Sequence, residues 1–108
     1  MTTDADQQFL RQAEECMAAL LRRIDEIDPD ELEADSAAGV IKMRFADGSV
    51  CVLNRQSAAH QLWLAEGATA WHFVRDDSGN WMDTKGRGPL GAVLSELVSR
   101  KLGRETRF

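Results

Sequence analysis

The chain has 108 residues, which is enough for one hydrophobic core and too few for two. Its composition is 44% hydrophobic and 29% charged, as in an ordinary globular domain, and no apolar run approaches the ~20 residues of a membrane helix. The net charge of −5 is uneven, because the first 35 residues hold 11 acids and only 3 bases. That surface would repel phosphates, so we expect cations or a basic protein to bind there rather than nucleic acid.

The first predicted element is a helix over residues 4–27. The opening segment MTTDADQQ is acidic and lacks the basic and apolar regions of a signal peptide, which predicts a cytoplasmic protein. Apolar residues then recur at helical spacing from Phe9 to Ile27. Thr3 and Asp6 have the spacing of an N-terminal capping pair, and Pro29 cannot continue the helix.

A strand beginning near Leu32 should follow, with an acidic outer face, and then a hairpin. The segments GVIKMRF and SVCVLN flank Asp47-Gly48, which is typical of a two-residue hairpin loop. Such a loop predicts that Ile41, Met43 and Phe45 share a face with Val50 and Val52. Lys42, Arg44, Cys51 and Leu53 would then lie on the other face.

The segments HQLWLA, AWHFVR and NWMD predict three further strands. In the first of them, Leu62 and Leu64 alternate with Gln61 and Trp63, so the two leucines should face the core and Trp63 should be largely exposed. An exposed Trp beside Arg55 and Gln61 has the composition of a protein-binding hot spot.

The last predicted element is an amphipathic helix that begins at Pro89 and ends at Gly103. Its apolar stripe comprises Leu90, Val93, Leu94, Leu97, Val98 and Leu102. Two helices flanking an antiparallel meander predict an α+β two-layer sandwich, a single domain over residues 1–108 with both helices on one sheet face. The opposite face would be open to partners.

Enzymatic motifs are missing from the sequence. It contains no Gly-rich phosphate loop, no readable Ser-His-Asp order and no zinc-type Cys and His spacing. Cys16 and Cys51 are far apart and are expected to be reduced, buried thiols. We therefore predict a binding protein and not an enzyme.

Residues 24–35, IDEIDPDELEAD, hold seven carboxylates and no Lys or Arg. Arg22 lies four residues before Glu26 and could neutralise it, but no base follows nearby in the sequence. Exposed carboxylates are hard oxygen ligands, so the pattern predicts weak, exchangeable binding of several cations. The alternative is a solvated helix end next to an edge strand that charge protects from aggregation.

Four motifs follow the acidic helix in order: FADGS at 45–49, NRQ at 54–56, HQLWLA at 60–65 and WHF at 71–73. Together they resemble the frataxin family, and its bacterial members in particular, over nearly the whole chain. The resemblance implies binding of iron (Fe²⁺ or Fe³⁺), and less specifically of other divalent cations, through an acidic ridge. It implies a role in iron–sulfur cluster assembly, as an iron donor or as a regulator of the cysteine desulfurase, together with the scaffold machinery. A monomer is expected, with an iron-dependent oligomer as the alternative.

Carried over by position, the acidic ridge comprises Asp25, Glu26, Asp28, Asp30, Glu31, Glu33 and Asp35. The implied partner-binding sheet surface comprises Asn54, Arg55, Gln56, Gln61 and Trp63. Arg22 and Arg23 depart from the family pattern, because they stand where the ridge would continue with acids. That departure predicts a ridge shortened toward the loop and the first strand.

Two alternative functions remain open at this point. One is a protein-interaction module whose ridge meets a basic partner, with metal binding incidental. The other is an enzyme that oxidises ferrous iron at the carboxylates, which ranks lowest because no E-x-x-H pattern of a di-iron site is present.

Overall fold

The order of elements is helix, six-stranded meander, helix. The computed structural model describes residues 3–108. Its elements are α1 (Asp4–Ile24), β1 (Leu32–Ala37), β2 (Val40–Phe45), β3 (Val50–Gln56), β4 (Gln61–Glu66), β5 (Thr69–Arg75), β6 (Trp81–Asp83) and α2 (Leu90–Leu102), with a 3₁₀ turn at Ser57–Ala59. The strands form one antiparallel sheet in the order β1 to β6. The predicted α+β sandwich is therefore confirmed.

The start of α1 is as predicted, and its end is three residues earlier. The backbone N–H of Asp6 donates to the Thr3 hydroxyl at 3.0 Å, and the N–H of Thr3 donates to the Asp6 carboxylate at 3.1 Å. The helix ends at Ile24, where the chain tightens into a turn with Ile27 N–H donating to Ile24 C=O at 2.9 Å. Ile27 is still buried, because this turn returns it to the core.

The hairpin between β2 and β3 has a three-residue loop, so the predicted two-residue loop was wrong. Gly48 N–H donates to Phe45 C=O at 2.9 Å, and Phe45 N–H donates to Ser49 C=O at 3.0 Å. Gly48 has φ +85°, the left-handed conformation of a loop that ends in a bulge.

The extra loop residue shifts the register by one position and turns β3 over. Met43 pairs with Cys51 and Ile41 pairs with Leu53. Cys51 and Leu53 are therefore buried on the core face, whereas Val50 and Val52 share the outer face with Lys42 and Arg44. The predicted faces of these β3 residues were consequently wrong.

The core lies between the two helices and one face of the sheet. Leu62 and Leu64 are fully buried there, and Ile24 and Leu97 are also buried, as predicted. Burying each such side chain contributes about 1.5–3 kcal/mol. α2 begins after Pro89 and ends at Leu102, followed by its C-terminal cap Gly103 with φ +71°. Within residues 3–108, no helix combines the length and hydrophobicity needed to cross a membrane.

The two cysteines should be poor nucleophiles in the folded protein. Both are free thiols; Cys51 is buried as expected, whereas Cys16 is only half-buried. Burial raises the pKa of Cys16 to about 11 and is the main cause that raises the pKa of Cys51 to about 12. At pH 8 the thiolate fraction of each is then ~0.1% or less. We expect iodoacetamide, followed by mass spectrometry, to modify both at least ~10-fold more slowly than in 6 M guanidinium. Equal rates in the two conditions would contradict this.

Candidate functional site

The acidic ridge runs from the end of α1, through the connecting turn, along the edge strand β1. Six of its seven side chains are exposed and Glu31 is half-buried. The turn is stabilised by Asp28, whose carboxylate accepts the Asp30 N–H at 2.9 Å across Pro29. The ridge carboxylates are therefore presented to solvent by a hydrogen-bonded turn and a paired strand.

Three ridge carboxylates are neutralised by arginines. Arg23, rather than the expected Arg22, contacts Glu26 at 3.2 Å. Arg44 on β2 donates to Asp35 at 2.6 and 2.7 Å, and Arg104 from the chain's end pairs with Glu31. The expectation that no base compensates the ridge beyond Glu26 was therefore wrong for two positions, because strand pairing and chain folding supply the partners.

The other four carboxylates have no direct ion-pair partner among the described residues. No Lys or Arg among residues 3–108 forms an ion pair within 4.0 Å with Asp25, Asp28, Asp30 or Glu33. In the same part of the chain, no three Asp, Glu, His or Cys side chains converge on a common point that could hold a metal. The arrangement offers hard oxygen ligands one or two at a time, with water completing the coordination shell of a hydrated cation.

The outer face of the sheet carries a row of four cross-strand neighbours. Val40, Asn54, Trp63 and His72 lie opposite one another on β2 to β5. The Trp63 and His72 rings stack with centroids 4.2 Å apart and planes 9° apart. The Trp63 indole N–H donates to the Gln61 side-chain oxygen at 2.7 Å. These two contacts hold the indole in one orientation.

Trp63 faces away from the core, as predicted, but it is half-buried and not largely exposed. The reason is His72, which covers one face of the indole and was absent from the predicted surface. Antiparallel pairing of HQLWLA with AWHFVR puts His72 opposite Trp63. The contact could therefore have been predicted by aligning these two segments as neighbouring antiparallel strands.

Arg55 does not lie on the outer face with the other residues of the predicted partner-binding surface, so the expectation that it stands beside Trp63 and Gln61 was wrong, while its role in partner binding stays a prediction. It pairs with the buried Leu62, and its guanidinium packs against Gly39, where a Cβ would lie 3.0 Å from the Arg55 Cζ. Glu14 and Met17 of α1 line the same groove. Side chains alternate between the two faces along a strand, so Asn54 and Gln56, which flank Arg55 in β3, share the outer face with Gln61 and Trp63, whereas Arg55 does not.

A family model described as a frataxin-like domain matches residues 2–104. The chain belongs to the frataxin family. This confirms the resemblance seen in its motifs, and the acidic ridge and the outer sheet face both lie within the frataxin-like domain.

Curated relatives match between about three quarters and nearly all of the chain. The iron-sulfur cluster assembly protein CyaY of Delftia acidovorans is 35% identical over 107 residues, covering 95% of this chain and 96% of the relative. The protein of the same name from Pseudomonas paraeruginosa is 37% identical over 79 residues, covering 72% and 73%. Both relatives are named as assembly proteins and not as enzymes.

Solved frataxin structures share the fold. Frataxin from Psychromonas ingrahamii superimposes with a TM-score of 0.85 at 21% identity, covering 94% of each chain. Trimeric frataxin from Saccharomyces cerevisiae, solved in complex with ferrous iron, gives a TM-score of 0.76 at 22% identity, covering 86% of this chain and 87% of the yeast chain.

Proposed function

We propose that this chain is a non-enzymatic iron-binding protein of iron–sulfur cluster assembly, which acts as an iron donor, as a regulator of the cysteine desulfurase, or in both roles. Family membership, the names of its relatives and the ferrous iron bound by a yeast homologue support this role. The observation that carries it is the set of four unpaired, exposed carboxylates in the acidic ridge. We further propose a single-domain cytoplasmic monomer that acts with the desulfurase and the scaffold machinery.

Iron would bind the ridge as cargo and not as a fixed cofactor. Like charges held on one turn repel one another, and a dication relieves that repulsion. The ligands are carboxylate oxygens, which suit Fe²⁺ and Fe³⁺ and, less specifically, other divalent cations. Because no closed cage surrounds the cation, binding is weak and exchange is fast, as delivery to a partner requires.

Neutralising the four unpaired carboxylates should weaken iron binding. The ridge variant carries Asp25→Asn, Asp28→Asn, Asp30→Asn and Glu33→Gln. We expect its Kd for Fe²⁺ to rise at least ~10-fold, measured by anaerobic calorimetry and by amide NMR of residues 25–35. Without metal its free energy of unfolding, from urea titration, should rise by up to ~1 kcal/mol, because repulsion is relieved.

A matched control removes the same number of charges elsewhere. It carries Glu14→Gln, Glu15→Gln, Asp77→Asn and Glu96→Gln, all at exposed positions outside the ridge. This control should bind Fe²⁺ within about twofold of the parent, since charges beyond ~8 Å are largely screened at physiological salt. If the ridge variant binds iron as tightly as the parent, the ridge is not the iron site.

The interaction module with incidental metal binding is the second candidate. It is favoured by the oriented Trp63 on the outer face and by the arginines that already neutralise three ridge carboxylates. Removing all metal with EDTA distinguishes the iron-dependent role from the interaction module. Desulfurase binding that is unchanged in EDTA would favour the interaction module, and binding that requires Fe²⁺ would favour the iron-dependent role.

A further inference from the structure

Arg104 is the first residue after the cap of α2, and its side chain lies on the acidic ridge. Its guanidinium donates to the Glu31 carboxylate, 73 residues away in the chain. The hydrogen bond to Glu31 raises the pKa of Arg104, and the charges of Glu31 and Asp28 raise it further. Of the three arginines on the ridge, Arg104 is thus the one that comes from the segment after α2.

The position of Arg104 does not depend on that ion pair. On one side, Gly103 ends α2 in the left-handed conformation. On the other, Thr106 is buried, and its N–H donates to the Ser99 hydroxyl at 2.8 Å, while that hydroxyl donates to the Thr106 C=O at 3.0 Å. The Phe108 N–H also donates to the Ser95 hydroxyl at 2.8 Å. The backbone on both sides of Arg104 is therefore anchored to α2 by contacts other than the ion pair.

We propose that Arg104 is an internal counterion of the acidic ridge: a metal cation on the four unpaired carboxylates gains Glu31 as a further ligand only by displacing Arg104, so that this residue lowers the cation affinity of the ridge. The inference rests on the proposed function, because it concerns the same carboxylates. A guanidinium and a dication repel each other when they share one carboxylate. Arg104 remains close after displacement and can return to Glu31, which favours release of the cation.

The test compares two single variants in the C-terminal tail, residues 103–108, which follows α2. Arg104→Gln removes the guanidinium that contacts Glu31. Arg107→Gln removes an equal charge that instead pairs with Glu105 at 2.7 Å, and it keeps the backbone C=O that accepts from Arg23. In anaerobic Fe²⁺ titrations at 0.15 M salt, we expect the Kd of Arg104→Gln to fall about three- to fivefold, the range of an exposed ion pair. That of Arg107→Gln should stay within about 1.5-fold of the parent.

A double-mutant cycle assigns the effect to the contact itself. In a Glu31→Gln background, Arg104→Gln should no longer tighten Fe²⁺ binding, because the contact is already absent. The inference is overturned if Arg104→Gln binds Fe²⁺ like the parent, if both tail variants tighten binding equally, or if the gain persists in Glu31→Gln. Amide NMR spectra without metal check that each variant keeps the docked tail.

The ridge variant separates this inference from the proposed function. If that variant loses Fe²⁺ binding and Arg104→Gln changes nothing, the ridge remains the iron site and only the counterion role fails. If the ridge variant binds Fe²⁺ as the parent does, the proposed iron site fails, and the counterion role fails with it.

Discussion

Replacing Arg87 by alanine should lower the free energy of unfolding by roughly 2 kcal/mol, because it leaves the buried Asp83 carboxylate unpaired. The Asp83 side chain is fully buried and accepts hydrogen bonds from the Arg87 Nε at 2.8 Å, Nη2 at 3.1 Å and backbone N–H at 3.0 Å. Arg87 also donates to the Ala70 C=O at 2.8 Å. The variant leaves a buried carboxylate without its counter-charge, and urea titration at pH 7 measures the loss.

Arg104→Ala is the control for this prediction. It also removes an arginine from an ion pair, but there the arginine is exposed and its partner Glu31 is only half-buried. Water screens such a pair, so we expect a clearly smaller loss of stability than in Arg87→Ala. Similar losses in the two variants would show that burial of Asp83 does not set the strength of its pair.

The contribution of the Arg87–Asp83 pair to the free energy of unfolding should also depend on pH. The hydrogen bond from the Arg87 side chain is the main cause that lowers the pKa of Asp83 to about 2. A carboxyl whose pKa is lowered on folding contributes stability above its unfolded pKa of about 3.9, and loses it as the pH falls through about 2. The shift corresponds to roughly 1–2 kcal/mol after allowance for the partly exposed Arg87. Urea titrations should show the parent and Arg87→Ala converging between pH 4 and 2.

Trp63→Ala should weaken cysteine desulfurase binding by roughly 2 kcal/mol or more, about 30-fold in Kd, with the fold intact. Trp63 contributes nothing to the core, and its indole is held by His72 and Gln61, so little side-chain freedom is lost on binding. The loss should appear as faster dissociation with little salt dependence, measured with surface-bound desulfurase. The desulfurase as partner is part of the proposed function.

Two further variants serve as comparisons for Trp63→Ala: a control on the same sheet face and a charge variant of the acidic ridge. Val74→Ala truncates an exposed apolar side chain elsewhere on the outer face and should change binding by less than ~1 kcal/mol if Trp63 is a true hot spot. Neutral amides at Asp25, Glu26 and Asp28 should instead slow association and flatten its salt dependence, because the ridge steers a basic partner. Equal affinity of the parent and a folded Trp63→Ala would remove Trp63 from the interface.

Features set by neighbouring residues were predictable from the sequence. The capping pair of Thr3 and Asp6, the Gly103 cap and the alternation that buries Leu62 and Leu64 all depend on local geometry. The assignment of β3 residues to sheet faces was not predictable, because Asp47-Gly48 fits both a two-residue loop and a three-residue loop in which Gly48 takes the left-handed conformation. The Arg104–Glu31 pair needed the whole fold, since the tail reaches the ridge only after α2 has packed on the sheet.

The three-residue loop between β2 and β3 joins two strands whose pairing decides which side chains are buried. A slip of that pairing by one residue would send Cys51 and Leu53 into solvent and Val50 and Val52 into the core. One residue added to or removed from positions 46–48 leaves a loop of four or two residues, both common hairpin lengths, so the same strand pairs can still form. Length variants of this loop should therefore keep Cys51 and Leu53 buried, because the core and not the turn selects the face of each β3 side chain.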